Sequence, residues 1–218
     1  MNEFTSLLAF VKRIADSTVR RLSHYLRFLE ESSDRAVTTI SSEELARRGG
    51  TTSAQVRKDL SFFGSFGKRG LGYSVPELMA SLREILGLQR EWDVIIIGAG
   101  KIGAALAQYH GFIQRGFRVK AVYDNDAAKI GSQWDRLTVR DVAAVERDIG
   151  REHPDIAVLA VPSHEAQAAT DRLVRAGMKA ILNFAPTNLQ VPNDVSVRTV
   201  NMALELEGLS FELANRDR

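Results

Sequence analysis

Apolar residues along the chain recur first at helical spacing and later in unbroken β-branched runs. Val19, Leu22, Tyr25, Leu26 and Leu29 predict one buried helical face, with Arg20, Arg21 and Arg27 lying off it and Ser17 or Thr18 placed to cap it. Residues 1 to about 17 read as a helical leader. Ser41 and Glu44 form a capping box that opens a short second helix, ended by Gly49-Gly50. Thr51, Thr52 or Ser53 then opens a third helix. Its Val56, Leu60 and Phe63 face the core, and Gln55, Arg57 and Lys58 point outward. Gly64 to Tyr73 predicts two short strands around a glycine-rich basic tip, Lys68-Arg69. Val75-Pro76-Glu77 opens a fourth helix with Leu78, Leu82, Ile85 and Leu86 inward, and Leu88 to Trp92 is the linker to a second domain.

Val94 to Ile97 is a short apolar run of the kind buried on both faces of a sheet. It enters Gly98-x-Gly100-x-x-Gly103, after which a helix is expected through Tyr109. A second strand, Val119 to Tyr123, closes in Asp124, and Val139 to Arg147 reads as a peripheral helix. Asp155 to Val161 is another buried strand, followed by Pro162-Ser163-His164 and an amphipathic helix over 165–176. Lys179 to Pro186 is a strand with its loop. In the last helix Met202, Leu206, Leu209 and Leu213 share a stripe, suited to packing on its own domain or on another subunit. Strands alternating with helices predict a doubly wound parallel sheet, α/β in class, whose ligands bind at the carboxyl ends of its strands.

The glycine loop gives that crevice its chemistry. The first glycine permits a tight turn, the second lets backbone approach a pyrophosphate, and the third lets helix sit close to strand. Gly98, Ala99, Gly100, Lys101, Ile102 and Gly103 are therefore the expected diphosphate cradle. Asp124 can accept both ribose hydroxyls of an adenosine and would repel a 2′-phosphate, favouring NAD(H) over NADP(H). Lys129 falls toward the adenosine end. Val161, Pro162, Asn183, Phe184 and Ala185 fall where a nicotinamide would reach.

Charge divides between the halves. Residues 1–90 carry 14 Lys/Arg against 10 Asp/Glu, and residues 91–218 carry 15 against 17. From Leu45 to Tyr73 six basic residues face one acid, Asp59. A short helix, a glycine turn, a basic helix and a basic glycine loop make up a winged helix-turn-helix layout. Its expected partner is double-stranded DNA, contacted by Arg20, Arg21, Gln55, Arg57, Lys58, Lys68 and Arg69. The bland alternative is a small helical protein-interaction domain with a solvated basic face. The absence of cysteine excludes disulfides and thiolate zinc sites, and no paired metal ligands or membrane-length apolar run occur. A cytoplasmic setting is expected. A dinucleotide domain leaves too few residues for a usual substrate domain, which weighs against an enzyme. An NAD-dependent oxidoreductase would need an acid or base beside the nicotinamide; His164 and Tyr109 are the candidates, ahead of His110 and His153. A winged-helix regulator of another nucleotide, such as ADP or a coenzyme A derivative, is the other alternative.

Four stretches together resemble the Rex family of redox-sensing transcriptional repressors: Ser53-Ala-Gln-Val-Arg-Lys-Asp-Leu-Ser61, Phe63-Gly64 with Phe66 to Tyr73, Gly98 to Gly103, and Ile181-Leu-Asn-Phe-Ala-Pro186. The resemblance runs from about Arg20 to Leu213. It implies a winged-helix domain over 1–90, a Rossmann-type NAD(H) domain over 91–200, and a final helix, 201–218, exchanged between the subunits of a homodimer. It further implies binding to inverted-repeat operators and release when NADH binds. NAD+, whose positive nicotinamide is costly to bury, is the expected weaker competitor, and no metal is expected. Two departures stand out. Lys101-Ile102 replaces the usual Asn-Leu pair. Asn201 stands where an aspartate is expected to couple the exchanged helix to the DNA-binding domains, so that contact loses its charge.

Overall fold

Helix α1, Asp16–Asp34, buries Leu22, Tyr25, Leu26 and Leu29 along the face its spacing predicts. Its N-cap is Ala15, which has no side chain to cap with; neither Ser17 nor Thr18 serves, because the helix begins before them. This computed structural model describes residues 14–64, 66–67 and 71–216, so the leader from Met1 to Arg13 and the tip residues Lys68 and Arg69 lie outside it. The chain divides into two compact units, Met1–Arg90 and Glu91–Arg218.

In the first unit, α2 (Ser42–Arg48) is capped by the Ser41 side chain accepting from the Glu44 N–H. Thr52 caps α3 (Ser53–Ser61) in the same way, accepting from the Gln55 N–H. Each such cap is worth about 1 kcal/mol. Val56 and Leu60 are buried in one cluster with the α1 face, Leu45, Leu78 and Leu82, and Phe63 packs against it half-buried. After the glycine loop, β2 (Tyr73–Ser74) pairs antiparallel with β1 (Thr39–Ile40), and α4 (Val75–Ile85) follows. The two strands expected around the tip fall largely on residues outside those described; among the described residues Tyr73-Ser74 pairs with Thr39-Ile40, from before α2.

The second unit is built on seven strands: β3 (Trp92–Ile97), β4 (Phe117–Asp124), β5 (Gln133–Trp134), β6 (Leu137–Asp141), β7 (Ile156–Leu159), β8 (Ala180–Asn183) and β9 (Ser196–Thr199). Their order is β5-β6-β4-β3-β7-β8-β9, parallel throughout except for the β5–β6 pair at one edge. From the central β3 the chain winds outward through β4 to β6, then crosses back to β7 and winds the other way. The crevice at that reversal lies over the end of β3, where the glycine loop begins.

Several element bounds differ from expectation. Leu137 to Asp141 is a strand, with Val139 paired beside Val122, and helix begins only with a short 3-10 turn at Val142–Ala144 and then α7 (Val145–Glu152). The helix after the glycine loop, α5 (Lys101–Ala107), stops short of Tyr109, and a separate α6 (His110–Gln114) follows. Helix α8 spans Ser163–Arg175 and α9 spans Met202–Ala214.

None of α9 is buried. Met202, Leu204, Leu206, Leu209, Phe211 and Leu213 are each more than half exposed. Four of them form the expected stripe, and Leu204 with Phe211 adds a second apolar strip on the opposite side, since residues seven apart share a helical face.

Candidate functional site: a nucleotide crevice and a DNA-reading helix

A cavity of about 930 Å³ opens over the carboxyl ends of β3, β4 and β7. Gly98, Gly100, Lys101, Ile102, Asp124, Lys129, Val161 and Pro162 line it, as the sequence pattern expects. Gly98 adopts φ +104°, and a Cβ there would stand 2.4 Å from the Ala160 carbonyl oxygen. At Gly103 a Cβ would stand 1.9 Å from the Gly98 oxygen, so this glycine sets how closely α5 approaches β3. Gly100 occupies the N-cap of α5, where it offers no side-chain acceptor to the first-turn N–H groups. Those groups remain available to an anion.

Asp124 ends β4 beneath this loop. Its Oδ2 accepts the Ala99 N–H at 2.6 Å and its Oδ1 accepts the Asp126 N–H at 2.8 Å. Lys129 Nζ lies 3.3 Å from Oδ2 and 3.6 Å from Asp126. Burial alone would raise the Asp124 pKa, but the two backbone donors and the lysine outweigh it and hold the carboxyl below its usual range. The group is thus ionised and fixed by backbone in the cavity lining. Lys129 offsets part of the charge repulsion expected against a 2′-phosphate. The Asp124→Asn chain keeps the volume but replaces one acceptor oxygen by a donor. Its NADH affinity is expected to fall about 10- to 100-fold, the worth of one charge-assisted hydrogen bond, measured by NADH fluorescence titration.

Three residues expected at the nicotinamide end are placed differently. Asn183 is fully buried, and its amide donates to the Ala185 and Thr187 carbonyls while its Oδ1 accepts the Ala185 N–H. It shapes the 183–187 loop rather than facing the cavity, and Ala185 is buried in the core beside it. Phe184 packs half-buried against the β3–β4 core. Ala99 likewise is buried and enters the site through its N–H alone.

Val142, Val145, Ala168 and Ala169 also line the cavity without a signal in the sequence, because residues 139–147 read as a peripheral helix and residues 165–176 as an amphipathic helix without a ligand motif. Their small and branched side chains form an apolar wall suited to a flat aromatic ring. Of the acid–base candidates, His164 lines the cavity rim with its side chain 78 % exposed, 3.6 Å from Glu165. Tyr109 is exposed, edge-on to Phe112. His153 adopts a left-handed conformation that ends α7. No metal-binding cluster occurs among the described residues.

In the first unit α3 carries Gln55, Arg57 and Lys58, half-exposed or exposed as expected. Arg57 donates to Ser42 Oγ at 2.9 Å and lies 3.5 Å from Glu43, which ties α3 to the start of α2. Arg20 is exposed on α1. Arg21 calls for a correction. Its guanidinium grips Asp59 through Nε at 2.6 Å and Nη2 at 2.7 Å, and it is committed to the core rather than turned to a phosphate. The Tyr25 hydroxyl donates to the same carboxylate at 3.0 Å, as does Gln55 Nε2 at 2.8 Å. Asp59 is fully buried, and these donors more than offset the burial, keeping its pKa below the usual value. Neither the helical period nor the charge count marks Asp59 as the centre of this network; the one signal is a lone acid within a basic stretch.

Two family models match the chain: a CoA binding domain over residues 89–187 and a putative DNA-binding protein N-terminus over residues 13–61. The redox-sensing transcriptional repressor Rex of Syntrophomonas wolfei is 47 % identical over 95 % of this chain and 99 % of its own. The protein of that name from Streptomyces avermitilis is 48 % identical over 91 % of this chain and 79 % of its own. Among solved structures, RSP in complex with β-NADH is 40 % identical with a TM-score of 0.87, covering 94 % of this chain and 96 % of that one. RSP in complex with β-NAD+ and operator DNA is 42 % identical with a TM-score of 0.89, covering 94 % of each. With the paired helices α2 and α3, a glycine-loop crevice and relatives at this identity over almost its whole length, the chain belongs to the family of redox-sensing transcriptional repressors named Rex.

Proposed function

We propose that the protein is a homodimeric repressor that holds an inverted-repeat operator while NADH is scarce and releases it when NADH fills the crevice. The observation that carries this reading is the ionised Asp124 held by the Ala99 and Asp126 N–H groups beside an uncapped glycine-loop helix. That arrangement supplies a ribose acceptor and a diphosphate cradle. The relative solved with β-NADH, and again with β-NAD+ and operator DNA, supports the same ligands in this chain. Arg20, Gln55, Arg57, Lys58, Lys68 and Arg69 are the proposed DNA contacts, with Gln55 on a base edge and the cations on phosphates or in the minor groove.

Sensing needs a ligand that prefers one state. NAD+ carries a positive nicotinamide and NADH a neutral one, so an apolar pocket that desolvates the ring favours NADH. Val161 and Pro162 supply part of that pocket, and apolar residues of the partner's final helix supply the rest. A preference of ~100-fold needs about 2.7 kcal/mol. Carrying a dimer from mostly bound to mostly released needs a state preference near 10⁴, about 5.5 kcal/mol, which two crevices share. Exchange of α9 fits its two exposed apolar strips on opposite sides, each of which needs a surface to cover it. Ring burial then draws the exchanged helices and nucleotide domains together and changes the spacing of the two α3 helices on DNA.

Fluorescence anisotropy of labelled operator at varied NADH to NAD+ ratio tests the whole reading. NADH is expected to release the DNA at concentrations where NAD+ does not. Equal release by both, or by neither, rules it out.

A further inference from the structure

Asp59 has room for about four hydrogen bonds, two on each oxygen, and all four are taken. Oδ1 receives Arg21 Nη2 and Gln55 Nε2; Oδ2 receives Arg21 Nε and the Tyr25 hydroxyl. An ionised carboxylate only accepts, and this one is fully buried with its pKa held low. The Gln55 amide therefore faces it nitrogen-first. A flipped amide would set its oxygen against a carboxylate oxygen. Gln55 is the third residue of α3, where its own backbone N–H is already capped by Thr52. Its side chain is half-exposed, with Oε1 and the second amide N–H left over.

The geometry points to Asp59 as a positioning residue for base reading, one that locks the Gln55 amide so that it selects adenine in the major groove. This rests on the proposal that α3 enters that groove. A locked amide offers one acceptor beside one donor. Adenine offers the complement, the N6 donor beside the N7 acceptor. Guanine offers two acceptors, O6 and N7, and the fixed Oε1 repels one of them. A free glutamine could turn its NH₂ toward O6; this one cannot without leaving Asp59. The lock also lowers the cost of binding, because the side chain is already held in one orientation.

The test is binding of the full-length chain, without nucleotide, to a panel of operator duplexes in which each base pair is replaced in turn. The unaltered protein is expected to prefer A·T over G·C about 5- to 150-fold at one symmetric position per half-site. The Gln55→Met chain should lose discrimination at that position alone. The Asp59→Asn chain gives the amide a neighbour that both donates and accepts. Its discrimination there should fall below about 3-fold while the other positions keep theirs. A folded Asp59→Asn chain that weakens on every duplex alike, with the preference at that position intact, overturns the inference and leaves the repressor reading standing. Should that chain fail to fold, glutamine-selective ¹⁵N spectra of the unaltered protein decide. One Gln55 amide proton exchanging at least about 10-fold more slowly than its partner supports the lock, and equal exchange overturns it. An unaltered chain that discriminates no sequence at all sinks both readings together.

Discussion

Arg21→Ala is expected to destabilise the N-terminal unit by about 3–5 kcal/mol, because it leaves a fully buried carboxylate without its cation. The loss should appear as a large drop in amide-exchange protection across α1 and α3, the two helices that Arg21 and Asp59 join. Arg20→Ala is the control: it removes the same charge from the same helix at an exposed position, where changes stay within about 0.5 kcal/mol. Similar losses in the two variants would mean that the Arg21–Asp59 pair is not structural. The pair also fixes a sign for pH. Asp59 titrates below its free value in the folded chain, so its contribution is complete above about pH 4 and is lost as pH falls through the lowered pKa.

The second large effect is expected in the glycine loop. A Cβ at Gly103 would stand 1.9 Å from the Gly98 oxygen and 3.1 Å from its carbon, both backbone atoms, so the loop or α5 must move. Gly103→Ala should cost about 1–3 kcal/mol of stability by overpacking. Its NADH affinity should fall at least ~100-fold, about 2.7 kcal/mol, and operator DNA should then stay bound at NADH levels that release it from the unaltered protein. Gly100→Ala separates the two consequences. At Gly100 φ is −82° and nothing lies within 4 Å of a Cβ, so thermal stability should not change. The added methyl would still stand where the diphosphate must approach, and NADH affinity should drop without any loss of fold.

What the sequence reveals about this fold depends on how local the cause is. Caps are local: Ser41 is visible as an N-cap, and Thr52 as one of three adjacent candidates, because donor and acceptor lie three residues apart. Val94 to Ile97 with its glycine loop and Asp124 is legible because each part carries its own residue signature. Leu137 to Asp141 is not. Val139, Val142 and Val145 fall at helical spacing, and only the pairing of Val139 with Val122 on a neighbouring strand makes the segment extended. Arg21 and Asp59 lie 38 residues apart in sequence, and a basic residue on a helix in a basic unit looks like a phosphate contact until its partner is seen. Asn183 misleads in the same way. An asparagine at the end of a strand in such a sheet points to a ligand, but its amide is consumed in turning the chain after β8. Edge strand β9 is hidden because its few apolar residues are too sparse to announce a buried run.

Greasy on both flanks, α9 has a consequence for how this protein is made. In the proposed dimer the smallest stable species is the pair, and a newly synthesised lone chain carries an adhesive segment until it meets its twin. Its apparent stability then rises with subunit concentration. The repressor's abundance therefore sets how much of it stays folded, as well as how often the operator is occupied.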